Sequence, residues 1–134
     1  MPFEVNVQET AATLRGMVEH ETSQIDRRLT WLSQLQGFLF ASLGFAWEKG
    51  GHLVVILCIL GIAIALLVCV SVIFSMDACE RIRKCWLRHK PQDYDGPDIF
   101  GFYPHHAPWT VYIGIEVIIP IVLAIGWIAV LLLK

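Results

Sequence analysis

IDRRLTWLSQLQGFLFASLGFAW, residues 25–47, decides between two kinds of protein. The stretch opens on Asp26, Arg27 and Arg28, carries Gln34 and Gln36, and is otherwise almost wholly apolar. From Leu29 to Trp47 no side chain is formally charged. As a helix, that run is about 28 Å long, the lower part of what a ~30 Å hydrocarbon core requires. Thr30, Ser33, Gln34, Gln36 and Ser42 make it too polar to meet lipid on every side. An interfacial helix would gather such residues on one strongly charged face. Here they are spread around the axis, so the expectation is a span lined partly by protein.

The sequence that follows agrees. Glu48–His52 is a short glycine-rich turn, which makes the next helix an antiparallel neighbour. Residues 53–76, LVVILCILGIAIALLVCVSVIFSM, contain neither charge nor proline and would form a helix about 36 Å long. Residues 109–133 supply another apolar run, interrupted by Glu116 and Pro120. Trp109 and Tyr112 are expected at one interface and Lys134 at the other. The fold class expected is therefore an all-α integral membrane protein, with an N-terminal amphipathic helix and three transmembrane helices, assembled as a homo-oligomer. Its divisions are a cytoplasmic helix (1–28), a transmembrane hairpin (29–76), a basic helix and cytoplasmic loop (77–108), and a third transmembrane helix (109–134).

Orientation follows from the basic residues. Arg15, Arg27 and Arg28 precede the first span; Arg81, Arg83, Lys84, Arg88 and Lys90 follow the second; the turn between them holds only Lys49. The positive-inside rule puts the N-terminus and residues 77–108 in the cytoplasm and the C-terminus outside. Arg27, Arg28, Arg81 and Arg83 are expected to reach lipid phosphates. The first residues, MPFEVNVQET, lack a basic region followed by an apolar core, so no cleaved signal peptide is expected.

Ahead of the first span, Ala11, Leu14, Val18, Ile25 and Leu32 recur at three- and four-residue spacing. So narrow a stripe suits contact with one other helix. The basic run 77–90 should extend the second span as a helix. Residues 91–108 hold proline, glycine and aromatic residues that exclude regular helix; Phe100, Phe102 and Tyr103 should pack onto protein or headgroups.

Little here supports catalysis. Only 16% of the 134 residues are charged, mean hydropathy is +0.60, and the net charge of −2 gives no reason to expect nucleic acid as a partner. The four cysteines have no zinc-knuckle spacing and read as free thiols. Arg15 and His20 match the R-x4-H spacing of HEPN ribonucleases, a pair common by chance. His105 and His106 lack carboxylate or thiolate companions that would make a metal site. No nucleophile–base set or phosphate loop is visible, so neither an enzyme nor a cofactor is expected.

The residues singled out instead concern assembly. Ser33, Gly37, Ala41 and Gly44 recur along the first span, and Gly61 and Ala65 along the second, a spacing that lets membrane helices approach closely. Gln34, Gln36, Gly37 and Ala41 are therefore expected at helix contacts. With Gln36 and Gly37 facing a neighbouring helix, of this chain or of another copy, Gly37→Leu should disturb assembly more than Gln36→Leu. Glu116 is an intramembrane acid, equally compatible with an ion or proton site and with a hydrogen-bonded packing group. Pro120, one turn on, should open the backbone ladder and kink the helix. A conducting pathway would use Glu116; a scaffold that recruits a cytoplasmic protein would tolerate glutamine there.

Arg28–Leu32 (RLTWL) together with Gln36–Ala41 (QGFLFA) resembles a signature of small bacterial membrane proteins of the RipA type, and the order of hairpin, basic exit, proline/glycine loop and closing span is similar. That family is described as octameric and located in the cytoplasmic membrane. The resemblance implies a homo-oligomeric ring in the inner membrane and brings no catalytic residues.

Overall fold

The computed structural model describes residues 7–48, 51–96, 98–99 and 114–133. Among them are three helices and no strand: α1 (Val7–Trp47), α2 (His52–His89) and α3 (Ile115–Leu132). Trp109, Tyr112, Phe100, Phe102, Tyr103, His105, His106, Lys49 and Lys134 lie outside the described residues.

α1 is a single helix of 41 residues, about 62 Å long. The amphipathic segment and the apolar segment are thus one element, with no break at residue 28. No glycine–proline signal interrupts the register there, and the seam residues Ile25, Leu32, Gln36 and Leu43 stay buried across the junction. α2 is likewise continuous over 38 residues, carrying the apolar run straight into the basic run. Gly51, at φ +80, makes the turn between them in the left-handed region that glycine tolerates.

The two long helices form an antiparallel hairpin along their whole length. Leu43 and Ala46 meet Val54 and Cys58 at one end; Leu32 meets Ala65 in the middle; Ile25 meets Cys69 and Val72; Ala11 meets Trp86 at the other end. The helix that the narrow N-terminal stripe calls for is therefore the far end of α2, in the same chain. α3 packs antiparallel on α2, with Val117 beside Val72, Ala124 beside Ala65 and Trp127 beside Cys58. It touches α1 only briefly.

Exposed large apolar side chains are confined to part of this bundle. Apart from Met17 and Leu87, all those among the described residues fall within 31–74 or 115–133, including Trp31, Phe38, Phe45, Leu67 and Phe74. Two helices, α2 and α3, are long and apolar enough to cross a membrane. α1 is less apolar because Ser33, Gln34, Gln36 and Ser42 fall in its second half.

The rest of the described residues form a polar-surfaced head made of the first half of α1, the end of α2, and residues 90–96 and 98–99. Three of its ion pairs run along α2, Arg81 to Asp77 at 2.8 Å, Arg83 to Glu80 at 2.8 Å and Lys84 to Glu80 at 3.6 Å, and Lys90 meets Asp98 at 3.9 Å. The hydrogen bonds from Arg83 hold the Glu80 carboxyl below its ordinary pKa and raise that of Arg83 in return. Burial, aided by the Glu21 charge, pushes the Cys79 thiol up, which makes it a poor nucleophile.

Candidate functional site

Among the described residues, the buried hydrogen-bonded group that joins all three helices centres on Gln36. Its position on the inner seam of α1 buries it to 1% exposure. The amide Nε2 donates to the Gly61 carbonyl of α2 at 2.9 Å. The amide oxygen accepts from Nε1 of Trp127 on α3. Phe40, one turn along α1, stacks on the Trp127 ring at 4.3 Å between centroids and 8° between planes. Gly61 is what allows the indole to lie this close, because a Cβ there would overlap the Trp127 ring atoms. Each polar atom of the Gln36 amide has a partner, so a polar side chain is accommodated among apolar helices without an orphaned group.

This arrangement changes the roles expected of two residues. Gln36 serves contacts inside the chain. Gly37, its neighbour, is exposed, and a Cβ there would meet nothing within 4 Å. Gln36→Leu is accordingly expected to be the more damaging to the monomer. It would leave the Trp127 N–H without an acceptor, at about 1–3 kcal/mol for a buried orphan. The measured change should be a lower unfolding midpoint in detergent, partly restored by adding Trp127→Phe, which removes the stranded donor. An unchanged midpoint in Gln36→Leu would show that the amide does not hold the helices together.

Arg28 is drawn away from the headgroup role expected of it. Its Nη1 donates to Ser75 Oγ at 2.6 Å and to the Ser71 carbonyl at 3.2 Å, pinning α1 to α2 where the apolar zone meets the head. Arg27 is exposed. Arg81 is exposed and paired with Asp77, whereas Arg83 is paired with Glu80 and partly covered.

Glu116 falls in the first turn of α3, which begins at Ile115, and its carboxylate folds back over Gly114 beside Met76. That is the head-side end of the helix, where a carboxylate complements the helix dipole. Pro120 lies within α3 and is buried; it supplies no N–H for the Glu116 carbonyl.

Ser33, Ala41 and Gly44 are exposed like Gly37, so the small-residue row of α1 looks away from α2, whereas Gly61 and Ala65 are buried in helix contacts. The Ser33 and Ser42 hydroxyls donate to carbonyls four residues back, Leu29 at 3.0 Å and Phe38 at 2.8 Å. Gln34 is exposed on the same half of α1 and makes no hydrogen bond to another described residue.

In the head, Arg15 donates to the Tyr94 hydroxyl at 3.3 Å, and His20 is exposed. Five residues apart, the two diverge by about 140° around the helix. They do not converge on a common substrate position. No cluster of metal-ligating side chains occurs among the described residues, where Cys58, Cys69, Cys79 and Cys85 are all free.

The residues that sequence reasoning passed over are Trp127, Trp86, Tyr94 and Asp98. The four-residue spacing of the small residues Gly61 and Ala65 signalled a close helix approach, but nothing in the sequence named the indole that fills it. No protein-family model, curated protein or solved structure matches this chain.

Proposed function

We propose that this chain is a non-enzymatic, homo-oligomeric membrane protein with three spans, anchored in the bacterial inner membrane with its helical head and N-terminus in the cytoplasm and its C-terminus outside. Support for the third span comes from α1 lying beside the two more apolar helices with Trp31, Phe38 and Phe45 turned outward. Trp31 and Trp47 stand about 24 Å apart along the axis, a spacing suited to the two aromatic belts of a bilayer. The hydroxyls of that segment are bonded to its own backbone, so they add little cost in lipid.

Gln34 carries the assembly reading. Its amide has no partner among the described residues, at a depth where hydrocarbon offers no hydrogen bond. A second copy in the same orientation brings its own Gln34 to the same depth, with the small Ala41 about 10 Å further along the same face of α1. Such a bond contributes about 0.6–2 kcal/mol and recurs at every symmetric interface. An octameric ring is the form implied by the resemblance of the first-span motif. Conduction through such a ring would use Glu116, which lies at the head-side lip.

A second reading, a scaffold or accessory subunit that presents the head to a cytoplasmic protein, draws support from the unbroken α1 and α2. These helices tie the head rigidly to the spans. Both readings require association. The particle mass of the protein in nanodiscs should therefore be that of several copies, and Gln34→Leu should shift it to smaller species. A strictly monomeric wild-type particle overturns the proposal; an unchanged assembly in Gln34→Leu removes Gln34 from the interface.

A further inference from the structure

The outer face of α1 in the head is complementary to itself in charge. Gly16, Ser23, Thr30 and Gly37 recur every seven residues along it. Gly16 and Ser23 lie about 180° and 160° around the helix from Ile25 on the buried seam. A Cβ at Gly16 or Gly37 would meet nothing within 4 Å, and the exposed Thr30 has its hydroxyl bonded to the Asp26 carbonyl at 2.9 Å. On one side of this column, about 60° round from Gly16 and Ser23, stand Glu19 and Asp26; on the other, about 40° round, stand His20 and Arg27. All four are exposed, and none forms an ion pair with another described residue. We propose that this face docks on the same face of a second copy, the two α1 helices running parallel about a two-fold axis. The inference rests on the homo-oligomeric membrane reading above, which gives both chains one direction.

Charge complementarity selects a second copy as the occupant. A two-fold axis over Gly16 and Ser23 sets the acidic edge of one helix against the basic edge of the other. Glu19 then meets His20 of the second copy, Asp26 meets its Arg27, and each pair occurs twice. Within one chain these neighbours cannot serve each other, because adjacent residues on a helix do not face one another. The imidazole of His20 suits the position in either protonation state, since its N–H donates to a carboxylate in both. A seven-residue period is the one that keeps two helices in contact through a left-handed supercoil. Small residues on that period let the backbones approach until the flanking groups meet. One heptad beyond Asp26 and Arg27 the flanking residues are Ser33 and Gln34, so charge gives way to uncharged polar groups where the apolar run begins. The face thus continues into the Gln34 contact. A phosphate layer would take Arg27 and repel Asp26 and Glu19, and a foreign helix would need the same alternation in register. Because the contact is isologous, any larger assembly built on it holds an even number of chains.

The test co-expresses the full chain with two different affinity tags, reconstitutes it in nanodiscs, and measures how much of one tag is recovered with the other. A basic variant carries Glu19→Lys and Asp26→Arg; an acidic variant carries His20→Glu and Arg27→Glu. Either variant, co-expressed only with itself, sets like charges against each other. Co-recovery should then fall about tenfold below wild type at low salt. Co-expressing the basic variant with the acidic one opposes unlike charges at every flanking position. That mixture should return to wild-type recovery, which also shows that both chains fold. Wild-type recovery in each variant alone overturns the two-fold pair and leaves this face to another protein. A loss that the mixture does not restore overturns it as well. Two wild-type tags that are never recovered together give a different result, which overturns the homo-oligomeric reading on which the pair rests.

Discussion

Gly61→Leu should release α3 from the other two helices. The Gly61 position is fully enclosed: even a Cβ would overlap the indole of Trp127, whose N–H is bonded to Gln36 and whose face is stacked on Phe40. A leucine therefore has no low-energy rotamer that leaves the indole in place. Overpacking in a close-packed interior costs about 1–3 kcal/mol. Expelling Trp127 adds the loss of a large buried aromatic, about 3–5 kcal/mol when such a side chain is removed outright. The expected observation is a collapse of the detergent unfolding midpoint, with Trp127 fluorescence shifting toward a more exposed environment. Gly61→Leu combined with Trp127→Ala should recover part of the loss, because the new side chain then fills the space the indole vacates. If the double variant is no more stable than Gly61→Leu alone, the two residues are not in contact and the packing of α3 described above is wrong.

The legible part of this fold is the part written in one-dimensional pattern. The unbroken apolar run 53–76, the seam from Ala11 to Leu32, and the basic run after Met76 each announce a helix without reference to any other segment. The positions of their ends were less legible. Nothing local marks residue 28 as a boundary, because the same seam serves a polar-surfaced head on one side and an apolar bundle on the other. α1 consequently runs through it. The partner of each polar group was not legible at all. Gln36 and Gln34 are two residues apart and alike in chemistry, yet the 200° between them turns one toward Gly61 and Trp127 and the other outward. Only the rotation of α1 against α2, set by many seam contacts together, separates the two roles. Arg28 shows the same limitation: an arginine at the start of an apolar run reads as a headgroup ligand until Ser75 is brought within 2.6 Å of it.

Trp86→Ala should loosen the head while leaving the apolar bundle folded. Trp86 is 2% exposed and lies at the centre of the only apolar cluster among the described head residues, with Ala11 and Ile99. Its Nε1 donates to Asp98 Oδ1 at 3.0 Å, and the same oxygen accepts from the Ile99 backbone N–H at 2.9 Å. Tyr94 meets the indole edge-on at 5.1 Å between centroids. Lys90 lies 5.6 Å above the Tyr94 ring and 3.9 Å from the second Asp98 oxygen. One side chain thus fastens residues 90–96 and 98–99, which lie outside the helices, to the helical hairpin. Truncation to alanine removes the packing, at about 3–5 kcal/mol, and withdraws one of the two donors to Asp98. A head with so small a core has little other apolar burial to offset that loss. Amide exchange should accelerate across residues 7–20 and 90–99, and proteases should cut within 90–99, while residues 54–72 stay protected. Trp86→Phe keeps most of the buried area and loses only the bond to Asp98, so it should fall between wild type and Trp86→Ala. Unchanged protection of residues 90–96 and 98–99 in Trp86→Ala would mean that the loop is held by other contacts; lost protection throughout α2 would mean that head and apolar bundle unfold as one unit.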